Sequence, residues 1–165
     1  MTTGEIATRA TIWIAMAGYA ASLCFLLRGQ HRLALVAYAD GLIAFIAHVI
    51  LAFGVFYDWS HSIAWSETAR QTEAMTGTAS GHGLYLNYLF GVVWLIDACY
   101  WWRRGEPLHR RSSAGAVVLH GFFLFMIVNG GIVFATGAVR WFSGALLMAI
   151  VVCAVSKRMS HRIHR

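Results

Sequence analysis

Charge is what this chain has least of. Only 12% of its 165 residues are Asp, Glu, Lys or Arg, against about 25% in average soluble proteins. With 59% of the residues hydrophobic, that shortage argues against an ordinary soluble domain and for a polytopic membrane protein. Proline occurs once, at Pro107. No Pro-, Gly- or Ser-rich linker divides the chain, so residues 1–165 are expected to form a single integral membrane domain. The three cysteines, Cys24, Cys99 and Cys153, include no Cys-x-x-Cys, which argues against a thiol–disulfide exchange enzyme. Each falls near the same end of a different apolar run, where they are expected to be buried packing groups without a disulfide. Asp40, Asp97 and His120, the ionisable residues inside the apolar runs, belong to no close pair of the His-x-x-His or Glu-x-x-His kind, so no helical metal-ligand motif supports a metal there.

What the chain has instead is long apolar runs. Five approach the roughly 20 helical residues that a 30 Å apolar layer requires: 11–27, 33–57, 84–102, 114–135 and 141–156. The expected fold is therefore all-α, a bundle of five transmembrane helices. The first run is read as a mature helix because Arg9 alone makes a poor basic leader and no clear cleavage pattern follows. Residues 58–83 make a connection longer than two spans need, and a short amphipathic helix is expected inside it. Ser60 or Ser62 is placed to cap its start, Glu67, Arg70 and Glu73 stand three apart for pairing, and Gly77 is placed to end it.

The 13 Lys and Arg residues orient the bundle. With the N-terminus outside and the C-terminus cytoplasmic, the inner side receives Arg28, Arg32, Arg103, Arg104, Arg110, Arg111, Lys157, Arg158, Arg162 and Arg165, leaving Arg9, Arg70 and Arg140 outside. That asymmetry follows the positive-inside rule of a bacterial-type plasma (inner) membrane. Tyr57, Trp59, Trp65, Tyr85, Tyr88 and Trp141 would then mark one interface and Tyr100, Trp101 and Trp102 the other. The net charge of +6 is spent on these short flanks and forms no basic surface suited to nucleic acid.

Three ionisable residues interrupt the apolar runs: Asp40, Asp97 and His120. An Asp at a helix centre costs roughly 2.5–3.5 kcal/mol on insertion scales, so it persists where it faces a bundle interior, a partner or a water-filled path. Counting from the span ends puts all three at similar depth, and they are expected to meet as one intramembrane polar site. Ala37, Gly41, Ala44 and His48 recur around Asp40 at three- and four-residue spacing, a small-residue face suited to close helix packing. Asn87 shares a helix stripe with Trp94, Asp97 and Trp101, while Asn129 lies about half a circumference from His120. His48, Asn87 and Asn129 are secondary candidates.

Haem and metal ions are the cofactors such residues suggest. For haem, His48 and His120 are the intramembrane pair, but counting leaves them roughly 11 Å apart along the membrane normal. For a metal, the Asp40, Asp97 and His120 donors and a weaker outer-face pair, His61 and His82, supply acceptable ligands without a supporting motif. Ser143-Gly144 lies too far from His120 in depth to form a serine–histidine catalytic pair. Two function classes remain open. One is a non-catalytic component that anchors or assembles a membrane complex, with membrane lipids, a partner membrane protein or a second copy as its neighbours; the small-residue stripes and the absence of catalytic motifs favour it. The other is a proton-coupled transporter or membrane redox protein built on the Asp/Asp/His cluster.

Overall fold

The computed structural model describes residues 2–107, 113–134 and 137–163. Every described element is helical. They are α1 (Thr3–Leu27), α2 (His31–Phe56), α3 (His61–Thr76), α4 (Gly83–Arg104), α5 (Ser113–Val128), which continues as a π turn over Asn129–Val133, and α6 (Ala138–Ile163). Arg110, Arg111, Ala135 and the charged side chains of 157–165 lie outside the described residues.

Helix α1 starts two turns before its apolar run because Thr2 and Glu5 form a reciprocal capping box. The Thr2 hydroxyl accepts from the Glu5 N–H at 3.3 Å, and the Glu5 carboxylate accepts from the Thr2 N–H at 3.1 Å. The helix ends at Gly29, whose φ of +75° is left-handed and cheap for glycine alone. Gln30 N–H then reaches back to the Phe25 carbonyl at 2.9 Å. This tight reversal lays α2 antiparallel against α1. The two helices cross at Gly18 and Gly41: a Cβ on Gly18 would stand 2.7 Å from the Gly41 Cα and 2.8 Å from the Ala37 carbonyl oxygen. Backbones come this close in a membrane bundle because small residues permit it.

Ser60 caps α3, accepting from the Ile63 N–H at 3.4 Å, and Gly77 ends it in the left-handed region at φ +77°. Glu67 and Arg70 pair through two hydrogen bonds of 2.6 and 2.8 Å, and Gln71 adds a third to the same carboxylate at 2.9 Å. Those donors hold the Glu67 carboxyl well below the usual carboxylate range, at about 2. Gly105 stops α4 in the same left-handed way, its N–H bonded to the Trp101 carbonyl at 2.8 Å.

Among the described residues four helices are long and apolar enough to cross a membrane: Thr3–Leu27, His31–Phe56, Gly83–Arg104, and Ala114–Val133, which joins α5 to its π turn. The fifth expected span differs. Its apolar part is the shorter stretch Arg140–Cys153 within the 26-residue α6. The core lies between α1, α2, α4 and α5 and is mostly aromatic: Tyr19, Tyr38, Phe45, Phe90, Trp94, Trp101 and Phe123 are all buried. Trp101 therefore departs from its expected interfacial place. It is 1% exposed and packs on Tyr38 at 5.5 Å between ring centroids, leaving its neighbour Trp102 outside at 74% exposure.

Candidate functional site

Asp97 is the deepest acid in the molecule, 1% exposed on the buried stripe of α4 between Trp94 and Trp101. The Tyr38 hydroxyl of α2 donates to its Oδ2 at 2.9 Å. Across the same core, the Tyr19 hydroxyl of α1 and Nδ1 of His120 on α5 share a hydrogen bond of 2.9 Å. The two tyrosine rings lie 6.3 Å apart, and Trp94 and Phe123 each pack against both. The acid and the imidazole are thus brought into one aromatic enclosure with a phenol hydrogen-bonded to each. A buried carboxyl is costly unless hydrogen-bonded, and Tyr38 supplies part of that compensation.

Asp40 does not join them. It is exposed, in line with Val36, Ile43 and Ile50, which are 51–65% exposed. The reason is angular. At about 100° per residue, the buried face of α2 set by Ala34, Tyr38, Leu42 and Phe45 is centred about 155° around the helix from Asp40. The small residues Gly41 and Ala44 are buried as expected, yet they form the edge of that face and Asp40 falls beyond it. The expected three-residue site is therefore reduced to Asp97 and His120, joined by Tyr38 and Tyr19. Neither tyrosine was singled out from the sequence. The available signal was a tyrosine hydroxyl well inside each apolar run, which in a core needs a partner.

The secondary candidates come together elsewhere. His48, Asn87 and Asn129 all line a cavity of about 660 Å³ at the α3 end of the bundle, whose deeper wall includes Tyr19 and Trp94. His48 donates from Nδ1 to the Thr8 carbonyl at 2.9 Å, and Asn129 donates to the Phe125 carbonyl at 3.0 Å. His48 and His120 thus bind α1 at Thr8 and Tyr19, eleven positions or roughly 16 Å apart along one helix, which keeps the two imidazoles at different depths. A single haem does not fit between them.

His61 and His82 flank Tyr85, with ring centroids 6.0 and 6.5 Å from it, and His82 Nδ1 also bonds Ser80 Oγ at 2.9 Å. Among the described residues no group of three or more His, Cys, Asp or Glu side chains is arranged to hold a metal ion. The cysteines depart from expectation: Cys99 is exposed, and Cys24 and Cys153 meet with their sulfurs 2.7 Å apart, joining α1 to α6. Ser143 is fully buried against Met16 and against Gly131, which lies eleven positions beyond His120 in the chain.

These features define a polytopic helical membrane protein with a buried acid–phenol–imidazole core, an outward-facing carboxyl and a cavity at one end. Comparison of the chain with protein-family models, with curated proteins and with solved structures finds no match.

Proposed function

We propose that the protein is a non-catalytic component that anchors or assembles a complex in a bacterial-type plasma membrane. In this reading α6 is the fifth span, the N-terminus is outside, the C-terminus is cytoplasmic, and α3 lies on the outer side. The observation that carries it is Asp40. It lies nine residues into α2, about 14 Å along a helix of 26 residues, on an exposed face otherwise made of Val36, Ile43 and Ile50. Facing lipid there, the carboxyl costs roughly 2.5–3.5 kcal/mol; against a protein partner with a matching donor that cost is offset.

Charge complementarity selects the partner. Two copies related by a two-fold axis through this face would set Asp40 against Asp40. Nor does this face of α2 carry a basic side chain between Val36 and Ile50, since His48 turns inward to Thr8. The partner is therefore a different membrane chain with a Lys or Arg at this depth. A photo-crosslinking residue at Val36 or Ile43 in native membranes should label one protein. Asp40→Lys should abolish the adduct, and exchanging the partner's basic residue for Asp should restore it. Adducts only between copies of this chain, or an adduct that survives Asp40→Lys, would refute the reading.

A second reading, proton-coupled transport or membrane redox function, is favoured by the hydrogen bonds Tyr38–Asp97 and Tyr19–His120 in one enclosure. It predicts a proton flux in reconstituted vesicles that Asp97→Asn and His120→Ala abolish. The assembly reading predicts no flux in the unaltered protein.

A further inference from the structure

We propose that the cavity at the α3 end binds a neutral amphiphile, with an apolar body and a head that carries hydroxyl or carbonyl oxygens. Its volume of about 660 Å³ falls in the range of small-molecule sites. No Asp, Glu, Lys or Arg lines it; its polar groups are hydroxyls, amides and the imidazoles of His48 and His82. A charged head would lose its hydration there without gaining a counter-charge, whereas an uncharged one loses little. Aromatic side chains supply much of the apolar wall, from Tyr19 and Trp94 in depth to Phe53 and Tyr57 nearer α3.

Two cavity-lining residues, His48 and Trp94, each carry a polar atom with no protein partner among the described residues, one an acceptor and one a donor. The Thr8 carbonyl can only accept, so His48 carries its proton on Nδ1 and its Nε2 is an acceptor with no protein donor. Trp94, 2% exposed, has a buried indole N–H with no acceptor. A ligand hydroxyl satisfies the first; the second is closed even to a water molecule and is reached only where the wall around it shifts. Buried polar groups left open in this way are where a missing partner belongs.

The backbone adds a third observation. At Asn129–Val133 the helix widens by one residue, and the Phe134 N–H bonds the Asn129 carbonyl at 2.9 Å. Such π turns recur at functional sites. This one puts Asn129, Gly130 and Gly131 on the cavity wall. Packing accounts for Gly131, where a Cβ would strike Ser143 and Met16. It does not account for Gly130, where a Cβ would meet nothing within 4 Å. A glycine there keeps space open.

The test uses the full chain in nanodiscs, with bound probe counted by native mass spectrometry. Decylubiquinol offers a hydroxylated ring, monoolein a glyceride hydroxyl, and dioleoylphosphatidylglycerol an anionic head. We expect saturable one-to-one binding of a neutral probe, and whichever binds tighter identifies the source of the head group. Gly130→Leu should weaken it at least tenfold at an unchanged melting temperature, and His48→Phe about tenfold, the scale of one hydrogen bond. Ala52→Phe fills the cavity from the α2 wall and should reproduce the loss, so a folding defect in one variant leaves the other decisive. Equal binding of the anionic lipid, no binding of either neutral probe, or unchanged affinity in both filled variants would overturn the proposal.

Discussion

Replacing Gly18 with alanine tests the helix crossing on which the rest of the arrangement depends. The added Cβ would lie 2.7 Å from the Gly41 Cα, 2.8 Å from the Ala37 carbonyl oxygen and 2.9 Å from the Gly41 nitrogen. All three are backbone atoms, so no side chain can turn away. Comfortable carbon contacts begin near 3.5 Å, so α1 and α2 must separate by roughly 1 Å. That separation loosens the facing residues Ala15, Tyr19, Ala34 and Tyr38, which are 0–4% exposed. Overpacking costs about 1–3 kcal/mol, and an unyielding backbone puts this site at the upper end. Alanine recovers about 1 kcal/mol through helix propensity. The net expectation is a loss of about 2 kcal/mol, read from reversible unfolding in mixed micelles. Gly121→Ala is the control: its Cβ meets nothing within 4 Å, so it should be neutral or slightly stabilising. Equal stability of the two variants would refute the close crossing.

Three further outcomes are expected. Tyr38→Phe removes a donor to the buried Asp97 carboxyl and should cost about 1.5–3 kcal/mol in the same unfolding assay, with Asp97→Asn costing less because the amide oxygen still accepts from Tyr38. Mild oxidation should join Cys24 to Cys153, lowering the thiol count from three to one and leaving Cys99 as the thiol that reacts with a water-soluble or membrane-soluble maleimide. Glu67 should remain ionised far into the acid range. Its folded-state pKa is depressed from 4.5 to about 2, so the stabilisation of α3 by the Arg70 and Gln71 bonds is fully present above about pH 4.5 and fades as pH falls through 2, which carboxyl NMR titration would show. The energy involved is small, because the pair is solvent-exposed.

The helices were legible in the sequence because length and hydropathy alone specify them, and the ends of α3 were legible because Ser60 and Gly77 act locally. The Gly41 face of α2 was also readable as a close-packing surface. Which way the neighbouring Asp40 points was not. That depends on Tyr38 and Phe45, whose bulk rotates the buried face of α2 toward Trp94, and a count of depth contains no such rotation. Asp97 and His120 were found from their cost in lipid, while the tyrosines that reach them were hidden because a tyrosine in an apolar run reads equally well as packing. The meeting of Cys24 with Cys153 joins the first helix to the last, a long-range pairing that residue spacing does not encode. The π turn was invisible for a related reason: one extra residue per turn leaves no trace in the hydrophobic pattern of 129–133.

In the proposed assembly, Asp40 serves a contact outside the chain while Asp97 serves one inside it. The most direct measurement is the size of the complex extracted gently from native membranes, compared between the unaltered protein and Asp40→Leu. Asp40→Leu is expected to migrate as the free chain, with an unfolding midpoint unchanged or slightly raised. An unchanged complex, or a chain destabilised as severely as by Asp97→Leu, would contradict the proposed assembly.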